Sequence, residues 1–160
     1  GKVLEGRGRG EEALASYTRA AEVDPSSAEA WQAQGRLLRA SGQYIDAIDR
    51  YNRSLEIDPS DGTAWFEMGL AQQMLGRLEE AVESYDRATE IDPNSGEIWY
   101  TRGTALDGLG RYREAIESYD RALAINPRDV KSWNRKGDDF YKLGQHRQAV
   151  ECYDKFIELS

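Results

Sequence analysis

The residue types that carry chemistry are sparse in this chain, and none stands in a reactive pattern. His146 is the one histidine and Cys152 the one cysteine. A zinc site needs three or four converging ligands, and His146 has no second imidazole to share a metal with. A lone cysteine makes neither an internal disulfide nor a thiolate cluster, and no base stands at a fixed spacing to activate it. Gly6, Gly8 and Gly10 alternate with Arg7 and Arg9. They lack the Gly-Lys-Ser/Thr ending and the preceding strand of a phosphate loop. Glu79 and Glu80 sit at an expected helix start, where acids complement the helix dipole. These residues predict no enzyme, no cofactor and no metal.

Composition narrows the partners. Charged residues make up 31% of the 160 and the net charge is −8, which lacks the basic field of a duplex-binding protein. No nucleic acid is expected. No apolar run approaches the ~20 residues of a membrane span, and no signal-peptide pattern opens the chain, so no membrane is expected and the cytoplasm is the expected compartment.

What must position any functional side chain is a repeat. Pro25, Pro59, Pro93 and Pro127 recur every 34 residues, as do Trp31, Trp65, Trp99 and Trp133. Gly35, Gly69, Gly103 and Gly137 keep the step, and so do Gly8, Gly42, Gly76, Gly110 and Gly144. Tyr17, Tyr51, Tyr85, Tyr119 and Tyr153 follow it too. One supersecondary unit is therefore stacked on copies of itself. Apolar Ala30, Trp31, Leu37 and Leu38 predict a helix over about 28–40, capped by Ser27 and ended by Gly42. Asp61, Ser95 and Asp129 take the cap position in later units. A second helix is predicted over about 45–57, with Pro59 blocking its continuation. The recurrent mid-helix glycine costs about 1 kcal/mol against Ala. Its expected reason is close approach of the partner helix, small residue against small residue, with Ala47, Ala81, Ala115 and Ala149, and Ser54, Ala88 and Ala122, opposite. Asp49–Arg53, Glu83–Arg87, Glu117–Arg121 and Glu151–Lys155 are expected as i,i+4 pairs.

Trp31-Gly35-Ala47-Tyr51-Ser54-Pro59 and the copies after it resemble the tetratricopeptide repeat. The resemblance covers essentially the whole chain. It divides a single 1–160 array into a partial repeat over 1–27, repeats over 28–61, 62–95 and 96–129, and a last one over 130–160. Gly1 takes the register position of Gly35, so the chain reads as a segment of a longer array. The resemblance implies an all-α, right-handed solenoid of helix-turn-helix hairpins. It also implies a concave groove, lined by the first helix of each hairpin, that binds a peptide or helix of a partner protein. The expected function is a non-catalytic protein–protein interaction scaffold; the alternative is a regulatory or substrate-recruiting arm of a larger enzyme.

By the same resemblance the groove positions include Gln32, Arg36, Phe66, Leu70, Met74, Tyr100, Thr104, Lys131, Asn134, Arg135 and Tyr141. Phe66, Leu70 and Met74 share one helical face and with Tyr100 are expected to form an apolar patch. Arg36 and Arg39 at one end, with Lys131, Arg135 and Lys142 at the other, favour a ligand with an apolar centre and an acidic end. The family's carboxylate clamp is not expected, because only Lys131 and Arg135 match it. Phe156 stands where Ser54, Ala88 and Ala122 stand in other units. That exchange motivates an expected self-association through the last helix.

Overall fold

The structure, a computed structural model, describes the backbone from residue 2 to 160 and side chains from residue 12 onward. The described residues are helical and contain no strand. They form two compact units, 1–76 and 77–160, each described by itself. The first holds α1 (Lys2–Val23), α2 (Ala28–Ala40), α3 (Tyr44–Ile57) and α4 (Gly62–Met74). The second holds α5 (Leu78–Ile91), α6 (Gly96–Gly108), α7 (Tyr112–Ile125), α8 (Val130–Lys142) and α9 (His146–Leu159).

The caps are the expected ones. Ser27 accepts from the Ala30 N–H, Asp61 from Thr63 and Ala64, Ser95 from Ile98, and Asp129 from Lys131. Each removes an orphan donor at a front-helix start. Gly42, Gly76, Gly110 and Gly144 have φ between 73° and 82°, a left-handed conformation that glycine takes without steric cost. α1 differs: it continues through Gly8, the register position of these stops. Gly6, Gly8 and Gly10 therefore lie on a helix rather than in a loop.

The Trp and Pro periods are one interaction. The indole N–H of Trp31, Trp65, Trp99 and Trp133 donates to the carbonyl of Pro25, Pro59, Pro93 and Pro127 respectively, at 2.9–3.0 Å. The proline that ends one back helix thus anchors the next front helix.

The mid-helix glycines correct the sequence reading. A Cβ on Gly35 would sit 2.7 Å from Cε1 of Tyr51, on Gly103 2.6 Å from Cε1 of Tyr119, and on Gly137 2.7 Å from Cε1 of Tyr153. Glycine makes room for an aromatic ring, not for another small residue. The small residues do a separate job: the Ser54 hydroxyl donates to the Ala28 carbonyl at 2.9 Å, and Ala122 lies against Gly96. That position faces its own hairpin, so Phe156, half-buried on α9, does not by itself mark a changed junction with a next one. The expected i,i+4 pairs are also replaced. Arg53, Arg87 and Lys155 pair forward with Glu56, Glu90 and Glu158, and Arg121 stacks over Trp99 at 4.8 Å. Glu151 pairs with Arg147.

Each unit has an apolar centre. In the first, Leu38, Ala47, Tyr51, Leu55, Ala64, Met68 and Ala71 pack together with Leu14, Tyr44, Ile48 and Trp65 around them. In the second, Ile98, Ala105, Leu106, Ala115, Ile116, Tyr119, Ala122 and Leu123 are buried.

A Gly103→Ala variant tests the ring socket. Alanine gains about 1 kcal/mol of helix propensity but overpacks an immobile core ring, a cost of about 1–3 kcal/mol. Net destabilisation is expected in urea unfolding of the purified chain; an unchanged or higher midpoint contradicts the packing.

Candidate functional site

In the first unit the front helices are α2 and α4. Gln32 lies on α2 but is 8% exposed. Its Nε2 donates to Asp61 Oδ2 at 2.9 Å, while Oδ1 of the same carboxylate caps α4. Gln32 therefore ties α2 to the start of α4. Arg36 is exposed, Arg39 and Glu67 are half-buried, and Tyr51 is fully buried. The Tyr51 hydroxyl, Arg39 Nε and Glu67 Oε2 are buried together as one polar cluster. Burial pushes the Glu67 carboxyl up, opposed by the Tyr51 hydroxyl and by Arg36 and Arg39. Burial also raises Tyr51, with the Glu67 charge adding to it. Phe66 and Leu70 on α4 are half-buried and Met74 is 62% exposed.

In the second unit the fronts are α6 and α8. Tyr100 is half-buried, its ring tilted against Tyr119 with centroids 5.9 Å apart. Thr104 is half-buried and its hydroxyl donates to the Thr101 carbonyl at 2.7 Å. On α8, Lys131 and Arg135 are exposed and Asn134 is half-buried. The Tyr100 hydroxyl beside Arg135 raises the guanidinium's proton affinity, aided by the Asp107 charge. Tyr141 is 62% exposed and its ring lies tilted against His146, with centroids 5.3 Å apart, so the histidine packs at the helix start. Asp138 accepts from the Tyr153 hydroxyl at 2.9 Å, and Tyr153 is pushed up to about 12 by burial and that bond. Cys152 is buried, and burial pushes its thiol up.

Arg102 holds this unit together. It donates to Asp86 on α5 and to the Ser118 hydroxyl on α7, and its guanidinium lies 5.8 Å from the Trp99 ring. Lys136, its register counterpart on α8, pairs with Asp120 on α7 and lies over Trp133 and Phe140 of its own helix.

Sequence reasoning missed a buried polar group. Asp139 on α8 is 0% exposed. Lys142, one turn on, donates to Asp139 Oδ1 at 3.0 Å and to Asp107 Oδ1 on α6. The Tyr112 ring underlies the ammonium at 4.9 Å. A signal was available: the same register position holds Leu37, Ala71 and Ala105 in the other repeats, and an aspartate among them is an exception.

Tetratricopeptide repeat models match residues 1–61, 32–96, 96–129 and 130–160. The chain belongs to the tetratricopeptide repeat family. Its fold is also that of solved structures. The crystal structure of MamA is 22% identical with a TM-score of 0.92, covering 97% of this chain and 91% of its own. A MamA from Desulfovibrio magneticus RS-1 is 23% identical, with a TM-score of 0.88 over 99% of this chain and 89% of its own. YrrB, described as a tetratricopeptide repeat protein with an unusual peptide-binding site, is 24% identical with a TM-score of 0.87, covering 99% and 82%. No curated protein matches the sequence. Among the described residues, no helix is long and apolar enough to cross a membrane.

Gln32→Ala separates scaffold from surface. Losing a buried bond to a charged acceptor is expected to cost about 1.5–3 kcal/mol of stability, read by chemical denaturation. Unaltered stability contradicts the bracing role.

Proposed function

We propose that this segment is a non-catalytic interaction scaffold whose front helices bind a peptide or helix of a partner protein. The observation that carries the reading is Arg135, an exposed guanidinium seated beside the Tyr100 hydroxyl on the front of its unit. A cation held by a neighbouring hydroxyl is already oriented and loses little freedom on pairing. Lys131 stands one turn earlier on the same helix. The front of the first unit has the same mixture: Arg36 on α2 beside α4 with Phe66, Leu70 and Met74. Apolar side chains next to cations suit a segment that alternates apolar and acidic residues. YrrB, a fold relative, is described as peptide-binding, which supports the class of partner.

Peptides selected on the purified chain from a random library should be enriched in Asp or Glu near Leu, Phe or Tyr. Arg135→Glu and Lys131→Glu are each expected to weaken the best peptide about tenfold, or ~1.4 kcal/mol, by fluorescence anisotropy. Unchanged affinity in both variants removes this end of the surface from the reading.

A further inference from the structure

We propose that Asp107, Asp139 and Lys142 form a proton-operated latch between α6 and α8, set in the front of the second unit. The cluster stands at one junction only. In repeat register Asp139 corresponds to Leu37, Ala71 and Ala105, Lys142 to Ala40, Met74 and Gly108, and Asp107 to Arg39, Gln73 and Tyr141. The other described copies pack with an apolar residue, Leu37, Ala71 or Ala105, at the first of these positions. A carboxyl group there is not needed for the fold, and burying it opposes folding unless it is paired or neutral.

The hydrogen bonds show which form the site accommodates. Lys142 Nζ donates to Oδ1 of Asp107 and to Oδ1 of Asp139. That leaves Asp139 Oδ2 buried with no hydrogen-bond partner. The adjacent carboxyl belongs to Asp107, which as an anion can only accept. Two ionised carboxylates then share the one ammonium that donates to them, and one of the two side chains is 0% exposed. One proton removes both problems. With the proton on Oδ2, Asp139 becomes a donor to Asp107 and the cluster is neutral around Lys142.

The other neighbours do not supply the missing donor. From α7, the Tyr119 hydroxyl interacts electrostatically with Asp139 but makes no hydrogen bond to it, and the Tyr112 ring contacts Lys142. On α8, Arg135 interacts with Tyr100, Tyr119 and Asp107. From α9, Tyr153 donates to Asp138 instead.

Burial is the main cause that pushes the Asp139 carboxyl up to about 7; Asp107 adds to it and Lys142 opposes it. Burial alone would lower the Lys142 ammonium, but the two carboxylates hold it above its ordinary value. The native state therefore keeps a proton on Asp139 that the unfolded chain, with a carboxyl near ~3.9, gives up. As pH rises from about 4 to about 7, this group moves the equilibrium toward unfolding, and the loss is complete above about 7. Deprotonation sets two anions against each other across the α6–α8 seam and opens the latch. As regulation of peptide binding the latch rests on the reading above; as a proton switch it stands without it.

The test needs no ligand. Thermal unfolding of the wild-type chain and of Asp139→Asn, an uncharged amide that keeps a donor toward Asp107, is followed from about pH 5 to 8. The wild-type folding constant should fall relative to the variant's by up to tenfold per pH unit up to about pH 7. Parallel curves overturn the latch. Infrared difference spectra of the wild-type chain provide a measurement independent of any variant's folding. The carbonyl stretch of a protonated carboxylic acid should disappear with a midpoint near 7, and Lys142→Met should move that midpoint upward. No such band above pH 6 means that Asp139 is ionised, by a Tyr119 bond or otherwise, and ends the proposal. If the band titrates but no peptide binds the chain, the latch survives and the binding reading fails.

Discussion

The fold depends on a tyrosine ring lying on a glycine. Tyr51 on Gly35, Tyr119 on Gly103 and Tyr153 on Gly137 bring the two helices of a hairpin together at a distance that no Cβ permits. Tyr51 and Tyr119 are fully buried, so the ring is the centre of the hairpin rather than its edge. The same insertion carries each hydroxyl through the hairpin to the side where successive front helices meet. There it faces Glu67 in the first unit and Asp139 in the second. A packing device thereby delivers polar groups beneath the surface that the front helices present.

The tryptophan bond to proline complements it. The ring socket sets the geometry within a hairpin, and the Trp–Pro bond sets the entry of the next front helix. Neither involves residues on the exposed front. Arg36, Lys131, Arg135 and Tyr141 are therefore free to differ from copy to copy while the scaffold stays constant, which is how a repeat array makes specific surfaces from uniform units. Asp139 departs from this division of labour, because it alters a buried position that the other copies keep apolar.

Much of the fold was legible in the sequence because each repeated residue has a local cause. Ser27, Asp61, Ser95 and Asp129 announce helix starts by capping, and Gly42 and its copies announce stops by their left-handed conformation. What spacing does not reveal is the partner of a residue. The glycine at Gly35 says that something comes close; only the coordinates show a ring rather than an alanine. The Trp and Pro periods were each visible, but their six-residue bond was not, since it requires knowing where the indole points. Arg53 and Arg87 choose i,i+3 partners over i,i+4 ones because Glu56 and Glu90 are equally in reach on the helix surface. Of the candidate-site residues, Arg36, Lys131, Arg135 and Tyr141 are exposed. Gln32 is buried in a bond to a helix cap, a long-range contact that no local pattern encodes.

The central claim is that hairpin packing leaves the front helices as the partner-facing surface. Amide chemical-shift mapping by NMR, during titration with a library-selected acidic peptide, tests it most directly. The account predicts shifts concentrated on α2 and α4 of the first unit and on α6 and α8 of the second, with Arg135 and its neighbours among the largest. Shifts confined to α3, α7 and α9 would contradict it.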